Sequence, residues 1–301
     1  MGLHRVNYLV RDVPDLAATS AFYREFGLRE TSPGAFASRV GGDQLFLRPT
    51  DGRPRVHAIG VGVDARSDLD DAGERLARLG FPSQREGEML VAVEPVTGVR
   101  LELAVTPRLP REVPPPRGGV PDRADLVPRE EVWPVRLGHV VMGMPDIPAG
   151  ERFFIEGLGM HLSDYVIGGA FMRFETDHHN IVVVPAPVTV LHHTAWKVRS
   201  VDEIGYGGAQ MVRRHPERHA WGLGRHAASA NYFWYLKDPA GAFAEYYYSE
   251  MDELADTPRF WDPVPGAEEL PTAVWSSPPV EVALIPEAMT PEQLVDEGVR
   301  S

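Results

Sequence analysis

Three residues in the second half of the chain have the types and the spacing of a single metal site. His139 lies in the apolar run 137–144, His193 begins a further apolar run, and Glu245 lies in the run 241–248. All three runs are predicted to be β-strands, which are rigid supports for ligands. Two neutral imidazoles and one carboxylate hold non-haem Fe(II) on one face and leave the opposite face open to substrate and O₂. The pattern therefore predicts an enzyme that uses oxygen.

The composition limits what can hold such a metal. The chain has 301 residues, of which 43% are hydrophobic and 24% charged, so it is long enough for two globular domains. Cysteine is absent from the sequence. This excludes disulfides, thiolate metal sites, Fe–S clusters and cysteine nucleophiles, so any metal must be held by histidine, aspartate, glutamate or water.

Charge and apolar patterning indicate where the protein works. A formal net charge of −13 argues against binding nucleic acid, because counterion release needs clustered lysine and arginine. No apolar run approaches the roughly 20 residues of a membrane span, and the N-terminus lacks the pattern of a signal peptide. We expect a cytoplasmic protein that binds neither nucleic acid nor a membrane.

The chain contains an internal repeat with a period a little above 50 residues. Each copy begins with a predicted strand and a predicted helix and continues into two or three short apolar runs punctuated by glycine. The opening strand and helix of the four copies span residues 3–10 and 16–26, 55–63 and 68–79, 137–144 and 149–158, and 191–198 and 201–213. The repeating unit is therefore predicted to be strand–helix–strand–strand–strand, or βαβββ.

Two segments rich in proline divide the chain. Residues 107–134 are predicted to be a linker between an N-terminal domain, 1–106, and a C-terminal catalytic domain, 135–250. Residues 251–301 again combine proline with acidic residues. This tail is predicted to wrap the domain in extended form, with a free disordered tail as the alternative.

One stretch of the second half carries a resemblance to a known family. It reads Gly-Arg-His at residues 224–226 and Tyr-Leu-Lys-Asp-Pro-Ala-Gly-Ala-Phe-Ala-Glu at residues 235–245. Together with the four modules, this stretch resembles the two-domain type I extradiol catechol dioxygenases of the vicinal oxygen chelate superfamily. Trp234 departs from the family pattern, which prefers a smaller apolar residue there. The resemblance covers residues 3–248 as modules and 137–248 as motifs.

The resemblance implies a fold and an activity. The fold would be α+β, with four βαβββ modules paired into two domains, each a curved mixed sheet with helices on the outside. The activity would be the O₂-dependent opening, by meta cleavage, of the ring of a catechol-type aromatic. The cofactor would be Fe(II), with Mn(II) as the alternative. The partners would be a small aromatic diol and O₂, and the protein would form a homo-oligomer.

The resemblance also implies a role for each site residue. The metal ligands would be His139, His193 and Glu245. His178, fifteen residues before His193, would be the acid–base histidine that first removes a proton from the substrate and later returns one. Tyr235, ten residues before Glu245, would be the active-site tyrosine, and His226, nine residues before Tyr235, would contact the substrate.

Two histidine doublets leave the choice of residue open. Adjacent residues of a strand face opposite sides of a sheet, so only one member of each doublet is expected in the site. We choose His193 over His192 because it begins its strand in register with His139. His178 is chosen for its spacing, and His179 is the fallback. A lone strand histidine is more often a core residue, whereas an ionised carboxylate on an apolar strand needs a partner such as a metal.

The first half of the chain also offers two histidines and a glutamate. These residues are His4, His57 and Glu102. When the two halves are aligned on the aspartate that ends the opening strand, the position of His139 falls on Arg5. Ala58 rather than His57 takes the place of His193. An offset of one residue turns a strand side chain to the other face, so we expect that the first domain holds no metal.

Two alternative functions remain open from the sequence. One is another metal-dependent enzyme of the same superfamily, such as a glyoxalase or an epimerase. The other is a protein of this fold that binds an aromatic ligand without reaction, although the intact ligand set argues against it. Catechol-dependent O₂ uptake would discriminate among the three functions.

Overall fold

The chain folds into four βαβββ modules that form two curved sheets, as the computed structural model shows. The structure describes residues 2–110, 132–174, 176–249, 262–263, 266 and 271–278. The predicted α+β fold with paired modules is confirmed. Among the helices of these residues, none combines the length and the apolar character that crossing a membrane requires.

The first two modules form an eight-stranded sheet. Its elements are β1 (Leu3–Val13), α1 (Leu16–Glu25), β2 (Arg29–Ser32), β3 (Ala35–Ser38), β4 (Gly42–Pro49), β5 (Arg55–Val63), α2 (Arg66–Leu79), β6 (Ser83–Glu86), β7 (Met89–Val93) and β8 (Arg100–Val105). The strand order is β2-β3-β4-β1-β5-β8-β7-β6. The opening strands of the two modules, β1 and β5, pair antiparallel at the centre, and each pairs in parallel with the last strand of its own module.

The last two modules repeat this arrangement in a nine-stranded sheet. Its elements are β9 (Arg136–Met144), α3 (Ile147–Arg152), β10 (His161–Val166), β11 (Gly169–Arg173), β12 (Ile181–Pro185), β13 (Val190–Lys197), α4 (Val201–Arg214), β14 (His219–His226), β15 (Tyr232–Lys237), β16 (Phe243–Tyr248) and β17 (Ala273–Ser276). The order is β10-β11-β12-β9-β13-β16-β15-β14-β17. Helix α3 continues as a π-helical turn, Phe153–Leu158, and a short 3₁₀ helix, Pro216–Arg218, follows α4.

The predicted segment boundaries can be compared with these elements. The strand predicted over 55–63 coincides with β5, and the other opening strands and helices differ from the observed bounds by a few residues. The tail predicted over 251–301 contributes β17, which pairs antiparallel with β14, while the rest of it lies largely outside the described residues. Most of the predicted linker also lies outside them, so the domain limits stay a proposal.

Close approach of helix α4 to the sheet explains the departure at Trp234. The indole of Trp234 on β15 lies directly over Gly208 of the helix, where a Cβ would come within 2.3 Å of the ring. A glycine at this point gives the helix room to pack against a large aromatic residue. The side chain of Trp234 therefore lies on the helix side of the strand, and Tyr235 faces the opposite side.

A buried ion pair joins the two sheets. Arg11 on β1 donates hydrogen bonds to the carboxylate of Asp238, in the turn between β15 and β16, and to the carbonyl of Ala240. The Tyr23 hydroxyl donates to the same carboxylate at 3.2 Å, and the backbone N–H groups of Ala240 and Ala242 donate at 2.8 and 3.2 Å. Both charged side chains are almost completely buried. The first domain thus holds the turn that connects the strands of Tyr235 and Glu245.

Two further contacts support the same strands from the first domain. Tyr246 on β16 stacks on Phe26 with ring centroids 3.9 Å apart, and its hydroxyl donates to the Phe26 carbonyl at 2.7 Å. The backbone N–H of Leu137 on β9 donates to the side-chain carbonyl of Gln44 at 2.8 Å. Both contacts involve residues close in sequence to His139 and Glu245, so the first domain positions strands of the second.

Removal of Arg11 tests how much the buried pair contributes to stability. Arg11→Leu is expected to lower the free energy of unfolding by roughly 3–5 kcal/mol, because it leaves the Asp238 carboxylate buried without its cation. Arg24→Leu is the matched control, since Arg24 pairs with Glu30 at the surface and should cost about 1 kcal/mol or less. Urea denaturation measures both. Equal losses in the two variants would contradict the role of the buried pair.

Candidate metal centre and substrate cavity

Three side chains converge at the centre of the second sheet. His139 lies on β9, His193 on β13 and Glu245 on β16, and these strands are neighbours in the sheet. Ala195 pairs with His139 on one side and with Glu245 on the other, so all three candidate ligands share one face. Their ligand atoms lie within 4.8 Å of one another. The Glu245 Oε2 atom is 3.1 Å from His139 Nε2 and 3.3 Å from His193 Nε2.

The carboxylate of Glu245 is completely buried and only partly satisfied. Its Oε1 atom has no hydrogen-bond partner among the described residues. Burial raises the pKa of Glu245, but the adjacent imidazoles outweigh this and hold it below its ordinary value. Burial lowers the pKa of His139 to about 4, although Glu245 acts in the opposite direction. A buried carboxylate beside the neutral imidazole of His139, with one oxygen that has no partner among the described residues, fits a bound cation.

A β-bulge decides how the doublet at 192–193 is arranged. The pairing of β13 with β9 skips His192, between Leu191 and His193, so both imidazoles line the same cavity. The expectation that only one member faces the site is therefore wrong. The Nδ1 atoms of the two rings are 2.6 Å apart. If His193 presents Nε2 to a metal, its Nδ1–H donates to His192, which fixes the orientation of the ligand ring.

A cavity of about 370 Å³ is lined by two of the candidate ligands, His139 and His193. Its polar side chains include His139, His179, His193, His226 and Tyr235. Its apolar wall includes Val141, Val166, Ile167, Phe171, Val184 and Trp221. The cavity therefore combines a polar end beside the candidate metal ligands with a larger apolar surface, which is typical of small-molecule sites.

The second doublet lies in a loop rather than in a strand, so the strand alternation that predicts only one of its members in the site does not apply to it. His179 lines the cavity, and its ring centroid is 4.0 Å from that of His139. His178 does not line this cavity; its Nε2 atom is 2.8 Å from a carboxylate oxygen of Asp164. Of the two histidines, the structure favours the fallback, His179, for a role at the substrate.

Hydrogen bonds behind His179 determine which nitrogen faces the cavity. The Asp164 carboxylate accepts from the Nε2–H of His178, which leaves His178 Nδ1 as an acceptor. The Nδ1–H of His179 then donates to it at 2.9 Å, so His179 retains a free lone pair at Nε2. Burial lowers the pKa of His179 well below its ordinary value, so the ring is neutral at pH 7. The sequence carried no signal for Asp164, because the contact joins strand β10 to the loop before β12.

A similar chain of hydrogen bonds orients Tyr235 and His226. The Nδ1–H of His226 donates to the Thr272 carbonyl at 2.9 Å, and the Tyr235 hydroxyl donates to His226 Nε2 at 3.1 Å. Burial, followed by the nearby Glu245 carboxylate, raises the pKa of Tyr235 well above its ordinary value, so the hydroxyl stays protonated. Thr272 lies just before β17, in the predicted tail. Sequence reasoning missed it because nothing local in the tail indicates a contact with the site.

The first sheet has a different set of residues at the corresponding place. Gly60 pairs with Tyr8 on one side and with Glu102 on the other, as Ala195 pairs with the two candidate ligands in the second sheet. Tyr8 donates to Glu102 at 2.6 Å, and Arg100 donates to the other oxygen at 3.1 Å. A Cβ on Gly60 would come within 2.4 Å of the Tyr8 ring, so glycine gives this ring its room. Hydrogen bonds satisfy both oxygens of Glu102.

The alignment that placed Arg5 at this position is wrong. It counted back from Asp12, whereas the residue equivalent to Asp146 is Asp15. Asp15 and Asp146 each accept a backbone N–H at the start of a helix, α1 and α3 respectively. Seven residues before Asp15 is Tyr8, in agreement with the strand pairing. The expectation of a first domain without metal stays a prediction, now supported by the partners of Glu102.

Comparison with known proteins adds to this geometry. No family model matches the chain. A metapyrocatechase of Cupriavidus necator is 28% identical over 259 residues, which cover 81% of this chain and 80% of the relative. The crystal structure of a halotolerant catechol dioxygenase superposes with a TM-score of 0.74 at 20% identity, over 93% of this chain and 95% of that one. The chain is a relative of the extradiol catechol dioxygenases.

The vicinal oxygen chelate fold that these dioxygenases share also occurs in another enzyme class among the neighbours. A Mn(II)-bound glyoxalase from Novosphingobium aromaticivorans superposes with a TM-score of 0.67 at 24% identity, over 82% of each chain. A structural likeness at this level of identity establishes the fold alone. The choice between dioxygenase and glyoxalase chemistry for this chain therefore depends on the residues of the cavity.

Metal content tests the candidate centre. We expect a single divalent ion per chain, and Glu245→Gln should weaken its binding by roughly a hundredfold or more, since even supporting residues around a metal contribute 10–100-fold. Glu102→Gln is the matched control in the first sheet and should retain the ion. Mass spectrometric metal analysis after desalting measures both. A folded Glu245→Gln protein that keeps its full complement of iron would refute the centre.

Protonation of the buried histidines should make the metal-free protein less stable in mild acid. The pKa values of His139 and His179 are lowered by burial, so the unfolded chain binds more protons than the folded one at pH 5. Stability should therefore rise with pH from about 4 to the ordinary histidine pKa of about 6.5, by at most about 1.4 kcal/mol per pH unit for each shifted group. The lowered pKa of Glu245 contributes to the same rise of stability with pH only below the ordinary pKa of a glutamate. Urea denaturation in the presence of a chelator at pH 5 and 7 checks the slope, and a flat profile would contradict it.

Proposed function

We propose that the protein is a non-haem Fe(II)-dependent extradiol dioxygenase that opens the ring of a catechol-type aromatic with O₂. The observation that carries this proposal is the convergence of His139, His193 and Glu245 at the base of a largely apolar cavity. The relationship to a metapyrocatechase supports it. Assembly into a homo-oligomer, which the resemblance implies, and a cytoplasmic location, which the sequence pattern predicts, belong to the same proposal.

The donor set suits Fe(II), with Mn(II) as the alternative. Two imidazoles and one carboxylate are the ligands that mononuclear non-haem Fe(II) oxygenases use. The unpaired Oε1 atom of Glu245 is the structural reason to expect a cation here. When bound, the ion would supply a Lewis acid that makes the catechol hydroxyls more acidic, together with an open position for O₂.

His179 is proposed as the acid–base residue. Its lone pair at Nε2 is free to accept the proton of a catechol hydroxyl, because its Nδ1–H is engaged with His178. The imidazolium formed in this way is stabilised through His178 by the Asp164 carboxylate. The proton can then be returned to the product oxygen at a later stage. His178, the residue first chosen from spacing, is proposed to hold His179 in the correct tautomer.

Tyr235 and His226 are proposed to orient the bound diol. The Tyr235 hydroxyl donates a hydrogen bond to His226, so the lone pairs of the phenol oxygen remain available to accept a hydrogen bond from the substrate. The Thr272 carbonyl fixes the ring of His226 in turn. Both side chains line the cavity, which allows them to hold a catechol hydroxyl in a defined direction.

Catechol-dependent O₂ uptake by the iron-loaded protein tests this function. Consumption of O₂ with the appearance of a yellow ring-cleavage product is the expected result, and Glu245→Gln should abolish both. Turnover of a thiol adduct of a 2-oxoaldehyde, without O₂ uptake, would instead indicate a glyoxalase. Binding of a catechol without any turnover in the metal-loaded protein would indicate a ligand-binding protein.

The two histidines of the doublet are expected to differ in their effect on turnover. His179→Ala should keep the metal and lower kcat by roughly 10²–10⁴-fold, the usual contribution of a positioned acid–base group. His178→Ala should have a smaller effect, because it removes only the group that sets the tautomer of His179. Steady-state kinetics with metal analysis of each variant measures both. A severe loss in His178→Ala with normal turnover in His179→Ala would reverse the assignment.

A further inference from the structure

We propose that the substrate is a catechol carrying an uncharged apolar substituent, and that Ile167 contacts this substituent at the outer end of the cavity. This inference rests on the proposed dioxygenase function and narrows its substrate class. Three observations lead to it: the length of the cavity, the charge of its wall, and the backbone of Ile167.

The cavity extends well beyond the candidate metal ligands. It follows β9 from His139 past Val141 to Gly143, and Val184 of the parallel strand β12 lies beside Gly143. Four residues of a strand at about 3.3 Å each span roughly 13 Å. A ring whose two hydroxyls lie beside His139 therefore leaves the far part of the cavity for a substituent.

The far part of the cavity is apolar, and the described residues of its wall offer no partner for a charged substituent. Among the described residues that line the cavity there is no lysine or arginine, and no aspartate or glutamate. The basic groups present are imidazoles, and those of His139 and His193 are assigned to the candidate metal. A substrate carboxylate would lose its hydration there without gaining a cation, which is costly. An alkyl or aryl group would instead bury its surface against Val141, Val166 and Val184.

Ile167 has a strained backbone at the mouth of this apolar part. It forms the two-residue turn between β10 and β11 with Gly168, and its φ of 51° lies in the left-handed region. Such turns favour asparagine or glycine, and a β-branched residue is disfavoured there. The side chain is nevertheless 68% exposed while it lines the cavity. A strained and exposed isoleucine contributes little to folding stability. Contact of its side chain with a ligand is the role that best explains an isoleucine at this position.

Charge is tested with two ligands of closely similar size. The iron-loaded protein is assayed with 3,4-dihydroxyphenylacetate and with its methyl ester, and kcat/KM for the ester is expected to exceed that for the acid by at least a hundredfold. The kcat/KM for propylcatechol, taken for whichever ring isomer reacts better, should exceed that for unsubstituted catechol by about fourfold for each buried methylene. An acid that is turned over as well as the ester, or a series without any gain from the alkyl chain, would overturn the proposal.

Ile167→Asn tests the turn. Asparagine tolerates a positive φ, so the melting temperature should stay the same or rise. The ratio of kcat/KM for propylcatechol to that for catechol should fall at least about fourfold, the value of one buried methylene. Val93→Asn, which replaces an exposed valine of the first sheet, is the matched control and should leave the ratio unchanged. An unchanged ratio in a folded Ile167→Asn protein would remove Ile167 from the proposal.

Failure of this inference can be distinguished from failure of the proposed function. If catechol is cleaved but the acid is preferred over the ester, the function stands and the substrate class is wrong. If none of the catechols is cleaved, the proposed function is wrong. Calorimetric titration of the metal-loaded protein can then still compare the affinities for the acid and the ester. Binding of the ester over the acid would support an apolar cavity, and the reverse would refute it.

Discussion

The buried carboxylate of Glu245 is the constraint on which the centre of the second sheet depends. A completely buried anion with one unpaired oxygen is unfavourable unless a cation or further donors compensate for the lost hydration. Burial lowers the pKa of His139 and keeps this imidazole neutral, so it acts as a ligand rather than as a counterion. The strand that carries Glu245 is held through Asp238 and Tyr246 by the first domain. Stability of the domain contact and geometry of the centre are thus linked.

The two sheets solve the same electrostatic problem in different ways. In each, a glutamate closes a βαβββ module and points to the same face. Tyr8 and Arg100 satisfy Glu102 with hydrogen bonds in the first sheet, where Gly60 provides space for the phenol ring. The second sheet has imidazoles instead, which leave room for an ion. One fold therefore supports either a closed polar network or an open centre, depending on the two residues that face the carboxylate.

Much of the fold and the convergence of three candidate ligands could be predicted, because alternation and the repeat indicate the elements and the resemblance implies how they pair. The strand at 55–63 follows from a period of two residues, whereas the shared face of His139 and Glu245 also requires that both pair with Ala195. The rest could not be predicted where that period is interrupted. A bulge places His192 beside His193, and His179 lies in a loop, where side chains do not alternate between two faces. Contacts such as Asp164 with His178 join segments whose sequences do not specify one another.

Hydrogen-bond direction unites the remaining polar groups of the cavity. His179 donates to His178, which donates to the Asp164 carboxylate. Tyr235 donates to His226, which donates to the Thr272 carbonyl. Each chain ends in an acceptor, so each draws its protons away from the cavity and presents lone pairs to it. A diol is the complementary ligand, because it brings two donors. The polar end is thus arranged to take protons from a substrate. The apolar end, which has no cation among the described residues that line it, is suited to hold the remainder of the ring system.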